Sequence, residues 1–282
     1  MSPTAASTRA CSAGRSRLDR NRLSAASPPS IGHPGAMEGR HLDWRGSHNA
    51  RDLGGLPVIG GGVTTHGAIV RSDSLQSLDA RGWEEAEAYG VRTVIDLRNE
   101  SEIGADAAPR PGSIETVNIP LDVTEARDFW EVWGKGPQFA TPLYYGPHLD
   151  RFPERSAQVV RAIATARPGG VVFHCQGGRD RAGQISLLVL ALAGVGPEAI
   201  AADHALSDER LRPLYLSRGE EDEAPKIAAY LRDQGTTATD LIVELLAELD
   251  IEATLLRAGL EHADLAALRR RLVSDAVAPP ER

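Results

Sequence analysis

Cysteine is scarce in this chain: its 282 residues include only two, Cys11 and Cys175. One stands near the start and the other deep in the sequence, which excludes a disulfide framework of the small secreted kind. Lysine is equally scarce, with Lys135 and Lys226 alone, so nearly every positive side chain is an arginine. No uninterrupted apolar run approaches the ~20 residues needed to span a bilayer, and the basic first segment lacks the apolar stretch of a secretory signal. Overall positive charge is also missing. The formal net charge is −8, and because the first 36 residues carry five Arg and one Asp, the remainder carries −12. A broad basic surface for nucleic acid is therefore excluded, although one local positive pocket is not. These absences lead to the expectation of a cytoplasmic protein with no nucleic-acid partner and no stable membrane insertion.

What is present is ordinary for a folded chain: 41% hydrophobic and 25% charged residues, enough for one large domain or two small ones. Residues 1–36 are rich in Ala, Ser, Arg and Pro, show no periodicity and are expected to be disordered. Met37 stands just before the organised sequence and is a second candidate start. The run HLDWRGSHNARDLGGLPVIGG from His41 is turn-rich and leads to a short strand expected at Ala68–Val70. A helix follows over SLDARGWEEAEAYG, capped by Ser77 or Asp79 and closed by Gly90. Val91–Leu97 and a segment from Glu115 read as strands.

Residues 122–150 hold Trp130, Trp133, Phe139, Tyr144 and Tyr145 among prolines and glycines, and form either a lid or an insertion packed on the core. RFPERSAQVVRAIATAR, from Arg151, predicts one amphipathic helix. Val171–Phe173 predicts a buried strand, RAGQISLLVLALAGV a buried helix, and residues 197–273 a helical region in which PEAIAADHALSD is the first helix. Alternating strands and helices predict an α/β fold with a central, mostly parallel sheet. The domain is expected over 37–274, with a tail at 275–282.

The chemistry concentrates in HCQGGRDRAG, from His174 to Gly183. A buried strand ends there and a helix begins near Ala182, and in open α/β sheets ligands bind at the carboxyl ends of strands. Gly177 and Gly178 let the loop curl until successive backbone N–H groups point inward, and the helix N-terminus adds its own free donors and dipole. Such a nest suits a phosphate dianion. It also favours the thiolate of Cys175, the nucleophilic form. Arg181, six residues after the Cys, can offer two parallel donors to phosphoryl oxygens and meet charge that builds in a transition state. Asp180 is a candidate proton donor. Arg179 is placed to grip a second phosphate, to orient Asp180 or to supply potential. His174 is either a partner of the loop backbone or a satisfied structural histidine.

These residues resemble the cysteine-dependent protein tyrosine phosphatase superfamily, whose signature is H-C-x5-R. More narrowly, HCQGGRDRAG is similar to the HCxxGKDRTG form of bacterial tyrosine and dual-specificity phosphatases. NARDLGG, Asn49–Gly55, resembles their N-x-RDLGG motif, and RSDSL from Arg71, IDLRNESE from Ile95 and the helical C-terminal region are similar too. The resemblance spans about residues 41–273. It implies a protein tyrosine phosphatase-like α/β fold and a two-step reaction without metal or other cofactor. Cys175 would take the phosphoryl group, Arg181 would bind it, and Gln176, Gly177, Gly178, Arg179, Ala182 and Gly183 would complete the cradle. Asp180 matches the position regarded as general acid in relatives, and Asp122, otherwise a solvated carboxylate at a helix start, is the reserve. Asp96 and Arg98 would brace the loop or line the pocket, and Asn49, Arg51 and Asp52 would form a polar network beside it.

Two departures from the family pattern matter. Arg179 replaces its Lys, and Ala182 stands where Thr or Ser normally steadies the departing thiolate; Gln184 is the candidate substitute or water-placing group. The expected partner is a phosphorylated protein, foremost one bearing phosphotyrosine, with Tyr144 or Tyr145 either stacked on its ring or packed in the core. A phosphoinositide or small phosphate ester is the enzymatic rival. Sulfur transfer of the rhodanese type and a phosphopeptide-binding module with weak turnover are the rivals in other classes.

Overall fold

Short runs of β-branched and aromatic residues set the layout, because strands of four to six residues buried on both faces must be covered by helices on both sides. The computed structural model describes residues 39–273; the tails expected at 1–36 and 275–282, and Cys11 with them, lie outside the described residues. Five strands form one sheet: β1 (Arg51–Asp52), β2 (Ile69–Ser72), β3 (Val91–Asp96), β4 (Glu115–Asn118) and β5 (Gly170–His174), in the order β1-β2-β5-β3-β4. Only β1 runs antiparallel to its neighbour. The fold is α/β with a central, mostly parallel sheet and a helical C-terminal region, as expected from the alternating pattern.

The period-two geometry of the strands divides the core. Ile69, Ile95, Val171 and Phe173 face one side and join the larger apolar cluster. Val70, Val94 and Val172 face the other and pack with Trp44, Leu78 and Trp83. That second face is covered by α1 (Ala80–Ala88), whose N-cap Asp79 accepts a hydrogen bond from the Gly82 N–H. Gly90, at φ 101°, ends it as the sequence predicts.

The first face is covered by α4 (Pro153–Thr165) and α5 (Arg181–Leu192), the latter buried along almost its whole length. Outside these lie α6 (Pro197–Ser217), α7 (Ala224–Asp233), α8 (Ala238–Glu248), α9 (Ile251–Arg257) and α10 (His262–Leu272). Helix α10 packs on α4, and α8 on α6. Among the described residues no helix is long and apolar enough to cross a membrane.

Register brings the site together. Ser72 pairs with His174, His174 with Asp96, and Asp96 with Asn118, so four parallel strands end in one row. The connections that follow them therefore emerge side by side at the carboxyl edge of the sheet.

Several boundaries differ from expectation. The strand placed at Ala68–Val70 runs instead from Ile69 to Ser72, because Arg71 and Ser72 are buried in a polar network rather than turned to water. The helix expected from Arg151 forms as α4 but starts two residues later, at Pro153: Arg151 ends a separate short helix, α3 (Tyr145–Arg151), and Phe152 lies between the two. Helix α6 continues past Asp208 to Ser217 through Pro213, which is exposed, as is Glu209, whose carbonyl loses its helical donor to water. Over residues 122–152, α2 (Arg127–Trp133), two 3₁₀ turns and α3 pack Phe129, Trp130, Tyr144, His148 and Phe152 largely edge to face, while Phe139 meets Trp130 by its edge and stacks on Tyr144. Tyr144, Tyr145 and Leu149 of this segment belong to the larger apolar cluster.

The burial of α5 sets a stability test. Leu188, fully buried within the larger cluster, should cost about 2–5 kcal/mol when replaced in Leu188→Ala. Urea unfolding is expected to show a lower midpoint with an unchanged slope.

Candidate active site

A loop can aim its N–H groups at an anion only if other donors take its carbonyls. Here each carbonyl from His174 to Asp180 has such a donor. His174 O accepts from Leu97 N at 2.9 Å and Gln176 O from Ser74 N at 3.1 Å. Cys175 O accepts from His174 Nδ1 at 3.2 Å, and Gly177 O from Asn49 Nδ2 at 2.9 Å. Arg71 Nη2 donates to Gly178 O at 2.6 Å and reaches Arg179 O at 3.3 Å. Asp180 O accepts from Gln184 N at 2.8 Å and from the Tyr145 hydroxyl at 2.9 Å. Inside this curl the Cys175 Sγ accepts from Gly178 N at 3.2 Å.

The two loop glycines are not equivalent. Gly178 sits at φ 69°, and a Cβ there would lie 2.6 Å from the Asp73 nitrogen and the Ser72 carbonyl, so only glycine fits. Gly177 has room for a side chain. Gly183, one turn into α5, is required for another reason: a Cβ would meet the Tyr145 hydroxyl at 2.5 Å. That hydroxyl lies 3.2 Å from His204 Nε2. A phenol has one proton to give; donating it to Asp180 O makes His204 the donor to the phenol oxygen. Burial holds His204 neutral, with a pKa lowered to about 3, and raises Tyr145 well above its ordinary value.

Arg181 begins α5 and is nearly buried. Its Nη1 and Nη2 pair with both oxygens of Glu102 at 2.6 and 2.7 Å, and Nη1 lies 3.3 Å from Asp122 Oδ2. Burial would depress the Arg181 pKa, but Glu102, Cys175 and Asp122 outweigh it and raise it. Burial would likewise raise Glu102, which Arg181 instead holds below the ordinary glutamate range. Asp122 is not the solvated carboxylate expected from its position. It is buried, Oδ1 has no partner among the described residues, and desolvation pushes its pKa to about 6 against the pull of Arg181. Arg179, also buried, extends Nε to Asp180 Oδ1 at 3.3 Å and Nη2 to Glu223 Oε2 at 3.2 Å.

The supporting residues fall into three groups. Arg51 donates to the Asn49 side chain, to Asp203 Oδ1 at 3.2 Å and to Ser207 at 2.9 Å. Arg40 and Arg71 join the same Asp203 carboxylate, and all four side chains are buried. Burial alone would raise the Asp203 pKa; three guanidiniums hold it far below the carboxylate range. Burial and the neighbouring Arg71 press Arg51 down to about 9. Asp52 is a correction to the expected network: it turns away from the loop, toward His66, Tyr89 and the N–H groups of Gly54 and Gly67.

Asp96 and Arg98 act at one remove. They pair side on, and Arg98 Nη1 reaches Ser74 Oγ at 3.1 Å, holding the turn whose N–H takes Gln176 O. Burial would raise Asp96, yet the hydrogen bonds and charge of Arg98 keep it below its ordinary value. His174 itself is neutral, lowered to about 4 by burial.

Above the loop opens a cleft of about 540 Å³, lined by Cys175, Gln176, Gly177, Arg179, Asp180 and Arg181 at its base. Phe139, Leu211, Leu214, Tyr215 and Ile227 form its apolar walls, with Arg218, Glu223 and Lys226 beside them. Neither Tyr144 nor Tyr145 lines it; both are core residues, and Tyr215 is the tyrosine of the cleft. Gln184 is not available as a substitute for the missing hydroxyl, because its amide donates to His148 and Ser156 inside the core. Ala182 is fully buried, and the Ser186 hydroxyl bonds back to its carbonyl at 2.7 Å. Among the described residues no three His, Cys, Asp or Glu side chains converge as metal ligands would.

Sequence reasoning missed Glu102, Asp203, Tyr145 as a loop partner, and Glu223. Asp203 carried a readable signal: it shares the inward stripe of α6 with Ile200, Ser207 and Leu211, and a carboxylate on a core-facing stripe demands a buried partner. Glu102 carried none that set it apart from Glu100.

Comparison with known proteins shows the family. A family model described as the tyrosine phosphatase family matches residues 42–274. A Cupriavidus necator protein named provisionally as a tyrosine-protein phosphatase is 30% identical over 182 residues, covering 62% of this chain and 66% of that one. A tyrosine-protein phosphatase of Nostoc commune is 32% identical over 142 residues, covering 50% and 48%. The triple specificity protein phosphatase PtpB of Mycobacterium tuberculosis is 24% identical over 202 residues, covering 59% and 72%. The match thus spans about two thirds of the first relative and half of the second. On the family match over most of its length, the chain belongs to the tyrosine phosphatase family.

Proposed function

We propose that this protein is a cysteine-dependent phosphatase whose nucleophile is Cys175. The observation that carries the reading is the loop itself: a thiol at its base, its carbonyls drawn outward, and the N-terminus of α5 behind it. The Cys175 thiolate attacks phosphorus, the bond to the leaving oxygen breaks, and Asp180 delivers a proton to that oxygen. Water then attacks phosphorus, the S–P bond breaks to release inorganic phosphate and return the Cys175 thiolate, and Asp180 takes a proton back from the water. Because Glu102 occupies the two terminal nitrogens of Arg181, the Nε edge of the guanidinium remains for the phosphoryl group. Glu102 thereby fixes the angle at which that edge is presented.

Asp180 is preferred to Asp122 as the proton donor on reach, since Asp180 lines the cleft and Asp122 lies behind Arg181. The favoured substrate is a phosphotyrosine protein, because the apolar wall with Phe139 and Tyr215 suits an aryl ring. Phosphoserine and phosphothreonine proteins, phosphoinositides and small phosphate esters are the second group. A binding module with weak turnover is the reading that the Ala182 departure favours.

Two predictions follow from these roles. Wild type should release phosphate from p-nitrophenyl phosphate, and Cys175→Ser should fall to background while still binding phosphate; binding without release in the wild type would establish the module instead. In pH profiles, Asp180→Asn should lower kcat roughly 10²–10⁴-fold. Asp122, with its pKa raised to about 6, is protonated below that pH and ionised above it, placing a second negative charge near the phosphate. Dianion binding should therefore weaken as pH rises through 6. Asp122→Asn should remove that inflection from KM and spare most of kcat; a collapse of kcat in Asp122→Asn, with Asp180→Asn little changed, would transfer the acid role.

A further inference from the structure

The phosphatase reading uses Cys175, Asp180 and Arg181 and leaves Arg179 unexplained. Its side chain is 5% exposed, yet it lines the cleft. Nε serves Asp180 at 3.3 Å and Nη2 serves Glu223 at 3.2 Å, while Nη1 is buried with no partner among the described residues. A buried guanidinium donor with nothing to bond is costly, and it points to an acceptor that arrives from the cleft. Arg218 and Lys226 line the same cleft. The region thus holds three cationic side chains beyond Arg181.

Glu223 is the resident acceptor. It stands immediately before α7, its side chain is 51% exposed, and one oxygen, Oε2, takes both Arg179 Nη2 and the Tyr215 hydroxyl at 2.9 Å. It is a half-exposed carboxylate at the edge of a short segment, so it moves away more readily than a buried partner. Asp180 is the more enclosed of the two partners, with its side chain 21% exposed.

We infer that Arg179 is the centre of a second anion subsite and that Glu223 is the specificity-determining residue guarding it. A substrate carrying a second anionic group near the scissile phosphate displaces the Glu223 carboxylate from Arg179 and gains Nη1 as well. A substrate with one phosphate leaves Glu223 in place. The inference rests on the phosphatase reading for the orientation of the substrate.

The test compares phenyl phosphate with 1,4-phenylene bisphosphate, the second corrected for its two equivalent ends. The readout is the ratio of their kcat/KM values. Glu223→Gln keeps an acceptor for Tyr215 and Arg179 but removes the competing charge, so the ratio should rise roughly fivefold in favour of the bisphosphate, the upper range for a partly exposed ion pair. The gain should shrink at high salt and vanish in the Arg179→Met/Glu223→Gln double variant. An equal effect of Glu223→Gln on both substrates, or a gain that survives loss of Arg179, overturns the inference. If wild type turns over neither ester, the phosphatase reading fails separately. Calorimetric binding of the same two compounds to Cys175→Ser, with and without Glu223→Gln, then decides the subsite by the same ratio.

Discussion

The outward pull on one short run of carbonyls governs the structure around the cleft. From His174 to Asp180 the peptide oxygens are bonded away from Cys175 by donors from the 97 and 74 turns, Asn49, Arg71, His174, and Tyr145 with the first turn of α5. Peptide units are planar, so turning each oxygen outward turns the adjoining N–H toward the opposite side. The direction of these N–H groups is therefore set largely by residues outside the loop. The aligned strand ends explain how so many distant segments reach one loop: four parallel strands finish in register, and each contributes the residues that immediately follow it.

That arrangement carries an electrostatic cost. Arg40, Arg51 and Arg71 share one buried carboxylate, Asp203, leaving positive charge in excess beneath the loop. Desolvated ions are costly even when paired, and Arg40 Nε and Nη1 and Arg71 Nε have no partner among the described residues. A hydrophobic cluster of the same volume would hold α6 against the sheet with less penalty. What a hydrophobic cluster cannot supply is the Arg71 donor to Gly178 O, or positive potential under the loop. The N-terminal motif NARDLGG is best understood in this light: Asn49 and Arg51 serve the loop, while Asp52 serves the turns at Gly54 and Gly67.

The sheet and the loop were legible because each rests on local pattern. Val171–Phe173 and Val91–Leu97 announce buried strands by composition, Asp79 and Gly90 bracket α1 by capping chemistry, and Cys175 to Arg181 carry their spacing in the primary sequence. Features set by tertiary packing were not. Arg71 and Ser72 looked like the end of a strand because nothing nearby showed that they would be buried. The start of α4 at Pro153 rather than Arg151 depends on α3, which packs Tyr145 and His148 inward and ends at Arg151. Asp122 looked solvated for lack of any local sign that Arg181, far along the chain, would come to lie beside it. Tyr145 and Tyr144 were equally ambiguous, and only the packed aromatic group decides that both belong to the core.

Tyr145 ties the fate of the cleft to a region apart from the sheet. Its hydroxyl holds Asp180 O, while its ring is anchored against Tyr144 and so to the aromatic group built by α2, α3 and the turns between them. Segments of this kind, with short helices and few backbone bonds to the sheet, open at free energies well below that of global unfolding. Loss of that anchor would release Asp180 and the head of α5 while the strands stayed paired. The persistence of the Cys175–Arg181 loop geometry is thus tied to local opening of the 122–150 segment, measured by the exchange of its amide hydrogens rather than by the melting of the whole domain.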